Sequence, residues 1–168
     1  MIDLSALEGN EAFETSYPEG ELLPAGKYNM VVRGKEVRAK RSANSGNVYL
    51  TVAVAATTDA NGEGVNSKLI YHMVPFEGNN KAGTANVIQF GKFFHALGLD
   101  KPQVYALAEN IASQIGAVGT GEEITLDLSI AGEPFTATGI TFTASLKQDE
   151  YNGKTKNVIS SAWAATGE

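Results

Sequence analysis

Apolar and polar residues alternate in several stretches of this chain, and a period of two is typical of strands with one buried face. A chain with this pattern buries a sheet rather than a bundle of helices. The length of 168 residues is enough for one domain with a substantial core. The alternating stretches are 28–32, 48–56, 124–130 and 140–146.

The first strand changes phase at a glycine. Met30 and Val32 precede Gly34 on one parity, whereas Val37 and Ala39 follow it on the other. A glycine at such a break is typical of a bulge or a sharp bend. We therefore expect the first strand to turn a corner there.

A third strand is predicted over Ser67–Val74, but its sequence leaves two inner faces open. Both alternating sets contain apolar residues. One set is Leu69, Tyr71 and Met73, and the other is Ile70, His72 and Val74.

Two helices are predicted to interrupt the strands. The first has apolar residues at helical spacing over 84–97, with Thr84 as its candidate N-cap, and its phenylalanines are expected in the core. The second is expected to begin at Asp100 and to end at Gly116. The predicted core phenylalanines are Phe90, Phe93 and Phe94.

The order of these elements indicates the fold class. Three strands, a helical insert and further strands joined by an Asn152-Gly153 hairpin suit a mainly β protein. Helices between strands three and four are the arrangement of an OB-fold-like, five-stranded Greek-key barrel. Because 124–130 supplies one strand more than five, a six-stranded version stays open.

Charge divides the chain into two parts. Residues 1–21 carry six acids and no base, whereas the remaining residues carry thirteen acids and thirteen bases. We therefore assign residues 1–26 to an acidic, weakly ordered arm and residues 27–168 to a single domain. Residues 27–41 carry six bases and one acid, a local charge of +5 that favours a polyanionic partner.

Signals for an enzyme are weak. The chain has no cysteine, which excludes disulfides, Cys-based zinc sites and thiol nucleophiles. His72 and His95 have no second ligand at metal spacing, and Gly116–Gly121 lacks the Gly-Lys-Ser/Thr ending of a phosphate loop. We expect no catalytic residue, no metal and no cofactor. The chain shows no signal peptide and no 18-residue apolar run, which favours the cytoplasm and no contact with a membrane.

OB barrels bind single strands on strands two and three, between two loops. Here both predicted loops are basic, and cations plus aromatic platforms suit sequence-tolerant binding of single strands. The alternatives are that the basic loops are simply solvated, that Tyr49 packs under a helix or a neighbouring subunit, and that Tyr151 makes a cross-strand contact within the hairpin. The candidate nucleic-acid-binding residues are Arg33, Lys35, Arg38, Lys40, Arg41, Tyr49, Tyr71, Tyr151, Lys154 and Lys156.

Five motifs occur in an order that resembles a family of small phage-encoded single-stranded-DNA-binding proteins with an OB fold, formerly uncharacterised. They are Leu23–Tyr28, the basic loop 38–41, Ser45–Tyr49, Phe93–Gly98 and Glu150–Asn157. The resemblance covers residues 22–162 and implies coating of single strands in phage DNA replication or recombination, in the cytoplasm of a bacterial host. The extra strand at 124–130 and a C-terminus with one acid depart from the expected pattern.

Three points stay open at this level. The implied partner is single-stranded DNA, with other replication or recombination proteins and a second copy of the chain as further candidates. The alternative function is a phage structural or assembly module, rich in β-structure, that binds protein instead of nucleic acid. The acidic arm either competes with DNA or docks a protein.

Overall fold

The computed structural model describes residues 20–164, apart from the side chains of Tyr151 and Ala164. Within that range the protein is mainly β with a helical insert, as predicted. The strands are β1 (Gly26–Val32), β2 (Arg38–Arg41), β3 (Val48–Asp59), β4 (Ile70–Pro75), β5 (Glu123–Thr125), β6 (Ser129–Ile130), β7 (Glu133–Pro134), β8 (Thr141–Tyr151) and β9 (Lys154–Ala164), and the helices are α1 (Val87–Ala96) and α2 (Lys101–Ile115).

Seven strands form one antiparallel sheet in the order β5-β2-β3-β1-β8-β9, and β4 pairs with the other edge of β3. The sheet is not closed, because β4 and β9 share no ladder of paired residues in the described range. Their edges nevertheless line the same two cavities. We call this gap between β4 and β9 the seam.

The predicted bend at Gly34 is confirmed. β1 ends at Val32 and β2 begins at Arg38. Between them the backbone N–H groups of Arg33 and Gly34 both donate to the carbonyl of Ala53, at 2.9 and 3.0 Å. A Cβ on Gly34 would lie 3.0 Å from the Cβ of Ala53, so a larger residue would crowd β3. The bend lets one edge of β3 pair first with β2 and then with β1.

The core fills the inner face of the curved sheet and is covered by α1. Phe90, Phe93 and Phe94 are buried, as predicted, and the ring of Phe93 lies edge-on to Phe142 at 5.6 Å. The structure also decides the inner face of β4. Ile70 and Val74 are buried and Tyr71 is exposed, because β4 continues the inner face of β3.

The start of α2 is confirmed, whereas the predicted N-cap of α1 is wrong. Asp100 and Gln103 form a capping box, with both hydrogen bonds at 2.9 Å, and Gly116 is the C-cap that follows the last helical residue, Ile115. The N-cap of α1 is Asn86 instead of Thr84. Thr84 belongs to a turn, since its backbone N–H donates to the side chain of Asn80 and its carbonyl accepts from the Asn80 N–H.

The stretch 124–130 is not one strand. The side-chain amide of Gln114 on α2 both donates to and accepts from the backbone of Asp127, at 2.8 Å each. The carboxamide oxygen of Asn110 accepts from the N–H of Ser129. These side chains take the place of a neighbouring strand. The segment therefore divides into β5, which pairs with β2, and β6, which pairs with β7.

The last part of the predicted acidic arm lies against the sheet. Leu23 is buried, and its backbone N–H and carbonyl bond the carboxamide of Asn157 at 2.9 and 2.8 Å. The Tyr28 hydroxyl donates to the Pro24 carbonyl at 2.7 Å. Residues 1–19 of that arm lie outside the described residues.

Candidate nucleic-acid interface

β2, β3 and β4 present a second face, which points away from the core. Residues that are paired across antiparallel strands lie on the same face, with Cβ atoms about 4.5–5.5 Å apart. The pairings set Lys40 beside Tyr49, and Arg38 and Met73 on either side of Thr51. We call this surface the outer face. Its members are Arg38, Lys40, Tyr49, Thr51, Ala53, Tyr71 and Met73.

The outer face exposes large apolar side chains at its β4 side. Tyr71 is 65% exposed and Met73 is 53% exposed, and Leu69 just before β4 is 44% exposed. The residue across from Tyr71 is Ala53, which lies against Gly34. Small residues on this floor leave room beside the Tyr71 ring. Exposed apolar patches of this kind mark sites of interaction, and a planar group could stack here. Tyr49 is half-buried on the same face.

Two of the predicted cations, Arg38 and Lys40, belong to the outer face, and a third, Arg33, lies at one end of it. Arg38 is exposed and its Nε lies 3.3 Å from a carboxylate oxygen of Glu123 on β5. Lys40 is paired in register with Glu123 and is half-buried. Arg33 lines a cavity of about 310 Å³ that also contains Leu69. Arg38 and Lys40 therefore lie on the side of the outer face that is opposite to the seam, and Arg33 lies at one end of the outer face.

Arg41 is not part of this group of cations. Its guanidinium donates to the carbonyls of Gly46, Ile115 and Val118 and to the Glu77 carboxylate, the last at 2.7 Å. The same carboxylate oxygen accepts from the N–H of Val48. Arg41 thus ties β2 to the end of α2. Because these contacts occupy its guanidinium within the fold, we leave Arg41, a candidate binding residue in the sequence, out of the candidate site.

Lys35 also lies apart from the outer face. It follows Gly34 in the bend and lines a cavity of about 760 Å³ between the bend, α2 and residues 125–138. That cavity includes none of the outer-face residues. We therefore leave Lys35 out of the candidate site.

The seam brings the second predicted loop to the outer face. A cavity of about 410 Å³ is lined by residues 68–73 on one side and by residues 154–159 on the other. Lys154 and Lys156 are exposed, whereas Asn157 beside them is buried. Both lysines line this cavity together with Tyr71 and Met73.

The hairpin that carries these lysines has the predicted turn. Asn152 and Gly153 have positive φ angles of 52° and 76°, as a type I′ turn requires. The side chain of Tyr151 lies outside the described part of the structure. Two predicted basic regions, about a hundred residues apart in the chain, therefore border one surface.

Sequence reasoning missed three residues of this surface: Lys68, Leu69 and Met73. All three line the seam cavity. The sequence pattern did not show which face of β4 is buried. With a histidine between Ile70 and Val74, the inner face is no more apolar in sequence than the outer face. The outward direction of Leu69, Tyr71 and Met73 follows from the pairing of β4 with β3.

His72 lies inside the seam, with its ring centroid 4.8 Å from that of Phe93. Burial lowers the pKa of His72 from 6.5 to about 4. The folded protein therefore keeps this imidazole neutral at pH 7. A neutral ring fills the gap between β4 and β9 without the cost of a buried charge.

The free energy of unfolding should consequently fall as the pH is lowered from about 6.5 to about 4. Across that window the unfolded chain binds a proton at residue 72 that the folded chain does not. The loss amounts to roughly 3 kcal/mol. In urea titrations at several pH values, His72→Leu should lack this component. The control variant His95→Leu changes an exposed histidine and should keep this pH-dependent loss of stability. Equal acid sensitivity of His72→Leu and the original chain would contradict the account.

The described part of the chain contains neither a membrane-spanning helix nor a cluster of potential metal ligands. No helix within residues 20–164 has the length and apolar character needed to cross a bilayer. In the same range, no three acidic or histidine side chains cluster as metal ligands do.

Residues 11–116 match the model of a family described as "Protein of unknown function (DUF669)", and this span is more than half of the chain. The chain belongs to this DUF669 family. The matched region contains β1 to β4 and both helices, so it includes the whole outer face. The β8–β9 hairpin with Lys154 and Lys156 follows it. No curated protein matches the chain.

Proposed function

We propose that this DUF669 protein binds single-stranded DNA, largely independently of sequence, on the outer face and along the seam. The observation that carries the proposal is the position of the exposed side chains of Tyr71 and Met73. They lie between basic side chains of β2 on one side and basic side chains of β9 on the other. Aromatic side chains stack on any base, and cations follow the phosphates, so the combination needs no base-specific hydrogen bonds.

The strand order supports an OB-like interpretation of the fold. In this interpretation β1 and β2 are the two halves of the bent first strand of an OB fold. β3 and β4 are its second and third strands, and β8 and β9 are its fourth and fifth strands. The helices then lie between the third and fourth strands, and the outer face corresponds to the surface on which OB folds bind single strands. The seam is the place where such a barrel would close.

The site favours unpaired strands over duplexes. Bases of a duplex are stacked on each other, so the Tyr71 ring would have no free base to contact. The resemblance to phage-encoded single-stranded-DNA-binding proteins supports DNA as the nucleic acid, and a role in replication or recombination in the cytoplasm of a bacterial host. In this proposal the protein acts by coating DNA and not by catalysis.

Fluorescently labelled oligo-dT and a duplex of equal length test the proposal. With three to five phosphate contacts, the logarithm of the binding constant for oligo-dT should fall with log salt at a slope of about −2 to −3.5. The duplex should bind more weakly at every salt concentration. Equal affinity for both, or no dependence on salt, would refute single-strand binding. Large homo-oligomers without affinity for oligonucleotides would favour the assembly module instead.

Glu123→Gln should tighten binding of oligo-dT by roughly 1.4- to five-fold at low salt. The carboxylate of Glu123 competes with phosphate for Arg38, and an exposed ion pair of this kind is worth about 0.2–1 kcal/mol. The measurement is a fluorescence anisotropy titration at 50 and 300 mM salt. Glu109→Gln on the exposed side of α2 changes net charge equally and serves as the control. If both variants gain the same affinity, net charge alone explains the effect and Arg38 is not held by Glu123.

A further inference from the structure

The first described residues cross one end of the seam. The N–H of Glu21 donates to the Asn66 carbonyl at 2.7 Å, and Glu21 forms a parallel bridge with Ser67. Two residues later, Leu23 is held by the side chain of Asn157 on β9. Residues 20–23 therefore connect the loop before β4 to β9, and the side chain of Leu22 lines the seam cavity.

The direction of this bridge fixes the position of Gly20, the first described residue. Because Glu21 pairs in parallel with Ser67, Gly20 lies on the side of Asn66 and not on the side of β9. Gly20 has a φ of +81°, and a Cβ there would meet the backbone of Ser67 and Lys68 at 2.6 Å, so the chain lies directly on this loop. The cavity with Arg33 and Leu69 is lined by Asn66 and Ser67. Gly20 thus lies at one end of the outer face, and residues 1–19 are attached to the domain at this point.

Charge and apolar character complement each other between this chain and the outer face. Residues 1–19 contain five acids, no base and several large apolar residues, including Leu7 and Phe13. The surface next to their point of attachment carries basic side chains and exposed apolar side chains. These are Arg33, Arg38, Lys40, Lys68, Leu69, Tyr71 and Met73.

We propose that residues 1–19 bind across the outer face of the same molecule and that single-stranded DNA displaces them. The acidic side chains of residues 1–19 bind the basic side chains of the outer face, and the apolar side chains of residues 1–19 cover Leu69, Tyr71 and Met73. Nineteen residues reach about 60 Å when extended, whereas β4 spans about 20 Å, so the length suffices. The competition rests on the proposed DNA binding, but the contact itself does not.

A spin label tests the contact without DNA. The chain has no cysteine, so Ser5→Cys gives a single labelling site. The nitroxide should broaden the backbone amide signals of residues 38–40 and 69–74, and the broadening should not depend on protein concentration. Addition of 0.5 M salt should restore these signals. Absence of broadening, or broadening that grows with protein concentration, would overturn binding within one molecule.

Removal of the acidic charge tests the competition. Deletion of residues 1–19 should tighten oligo-dT binding roughly three- to thirty-fold at 50 mM salt, because a tethered competitor acts at about millimolar effective concentration. The gain should shrink at 300 mM salt. The triple variant Glu8→Gln, Glu11→Gln, Glu14→Gln keeps the length and should reproduce most of the gain.

The two proposals fail in different ways. If neither the full chain nor the deletion variant binds oligo-dT, DNA binding is refuted, and the spin-label result alone decides the contact. If both bind with equal affinity, DNA binding stands and the competition is refuted.

Discussion

Tyr71→Ala should weaken the binding of oligo-dT about 5- to 150-fold, the equivalent of 1–3 kcal/mol for one stacked base. The ring is 65% exposed, lies opposite the small Ala53 and borders the seam cavity with Lys154 and Lys156. Its loss removes a stacking platform but little buried surface, so stability should change little. Anisotropy of a labelled oligo-dT measures the affinity, and urea unfolding measures the stability.

Two further variants make this result specific. Tyr105 on α2 is 63% exposed, and Tyr105→Ala should change affinity less than twofold because α2 lies outside the proposed interface. Tyr71→Phe should bind nearly as well as the original chain, since stacking uses the ring and not the hydroxyl. Original affinity in Tyr71→Ala, or an equal loss in Tyr105→Ala, would show that the outer face is not where bases stack.

Arg41→Ala should lower the free energy of unfolding by about 2–4 kcal/mol and leave the affinity of the folded protein for oligo-dT unchanged. The substitution removes the partner of Glu77 and leaves three backbone carbonyls without their guanidinium donor. The side chain is only 19% exposed, so water replaces these bonds incompletely. Urea unfolding followed by circular dichroism measures the loss.

Lys40→Ala should show the reverse pattern. Lys40 lies on the outer face next to Tyr49, so affinity should fall several-fold, whereas stability should change by less than about 0.5 kcal/mol. If Arg41→Ala reduces the affinity of the folded protein more than Lys40→Ala does, Arg41 contacts the nucleic acid and its structural assignment is wrong.

Local signals predicted much of the fold. The bend at Gly34, the Asn152-Gly153 hairpin and the Asp100 start of α2 each depend on chemistry within a few residues, and the structure contains all three. The alternation in β1, β3 and β8 likewise predicted their buried faces, because one face of each strand packs on the core.

Features that depend on distant partners could not be predicted in the same way. The side chains of Asn110 and Gln114 on α2 divide 124–130, although its alternation alone resembles one strand. Arg41 looks like a loop cation in the sequence, but its partners lie near residues 46, 77 and 115–118. The inner face of β4 required its register with β3.

Only part of the candidate site was predicted, because its other residues also depend on contacts between distant parts of the chain. The assumed OB topology places the first basic region and the final hairpin at one groove, and Lys154 and Lys156 do line a cavity with Tyr71. Lys68 and Met73 escaped notice because their place on that cavity depends on the seam between β4 and β9. Such a gap between two sheet edges has no local sequence signal.

Backbone amide chemical shifts during a titration with oligo-dT test the central claim most directly. Bound DNA should shift the amides of residues 38–40, 49–53, 69–74 and 154–158, which belong to the outer face and the two sides of the seam. The amides of α2 and of β6 and β7 should stay unchanged. Shifts concentrated in α2, or no shifts at a saturating concentration of oligo-dT, would contradict the account.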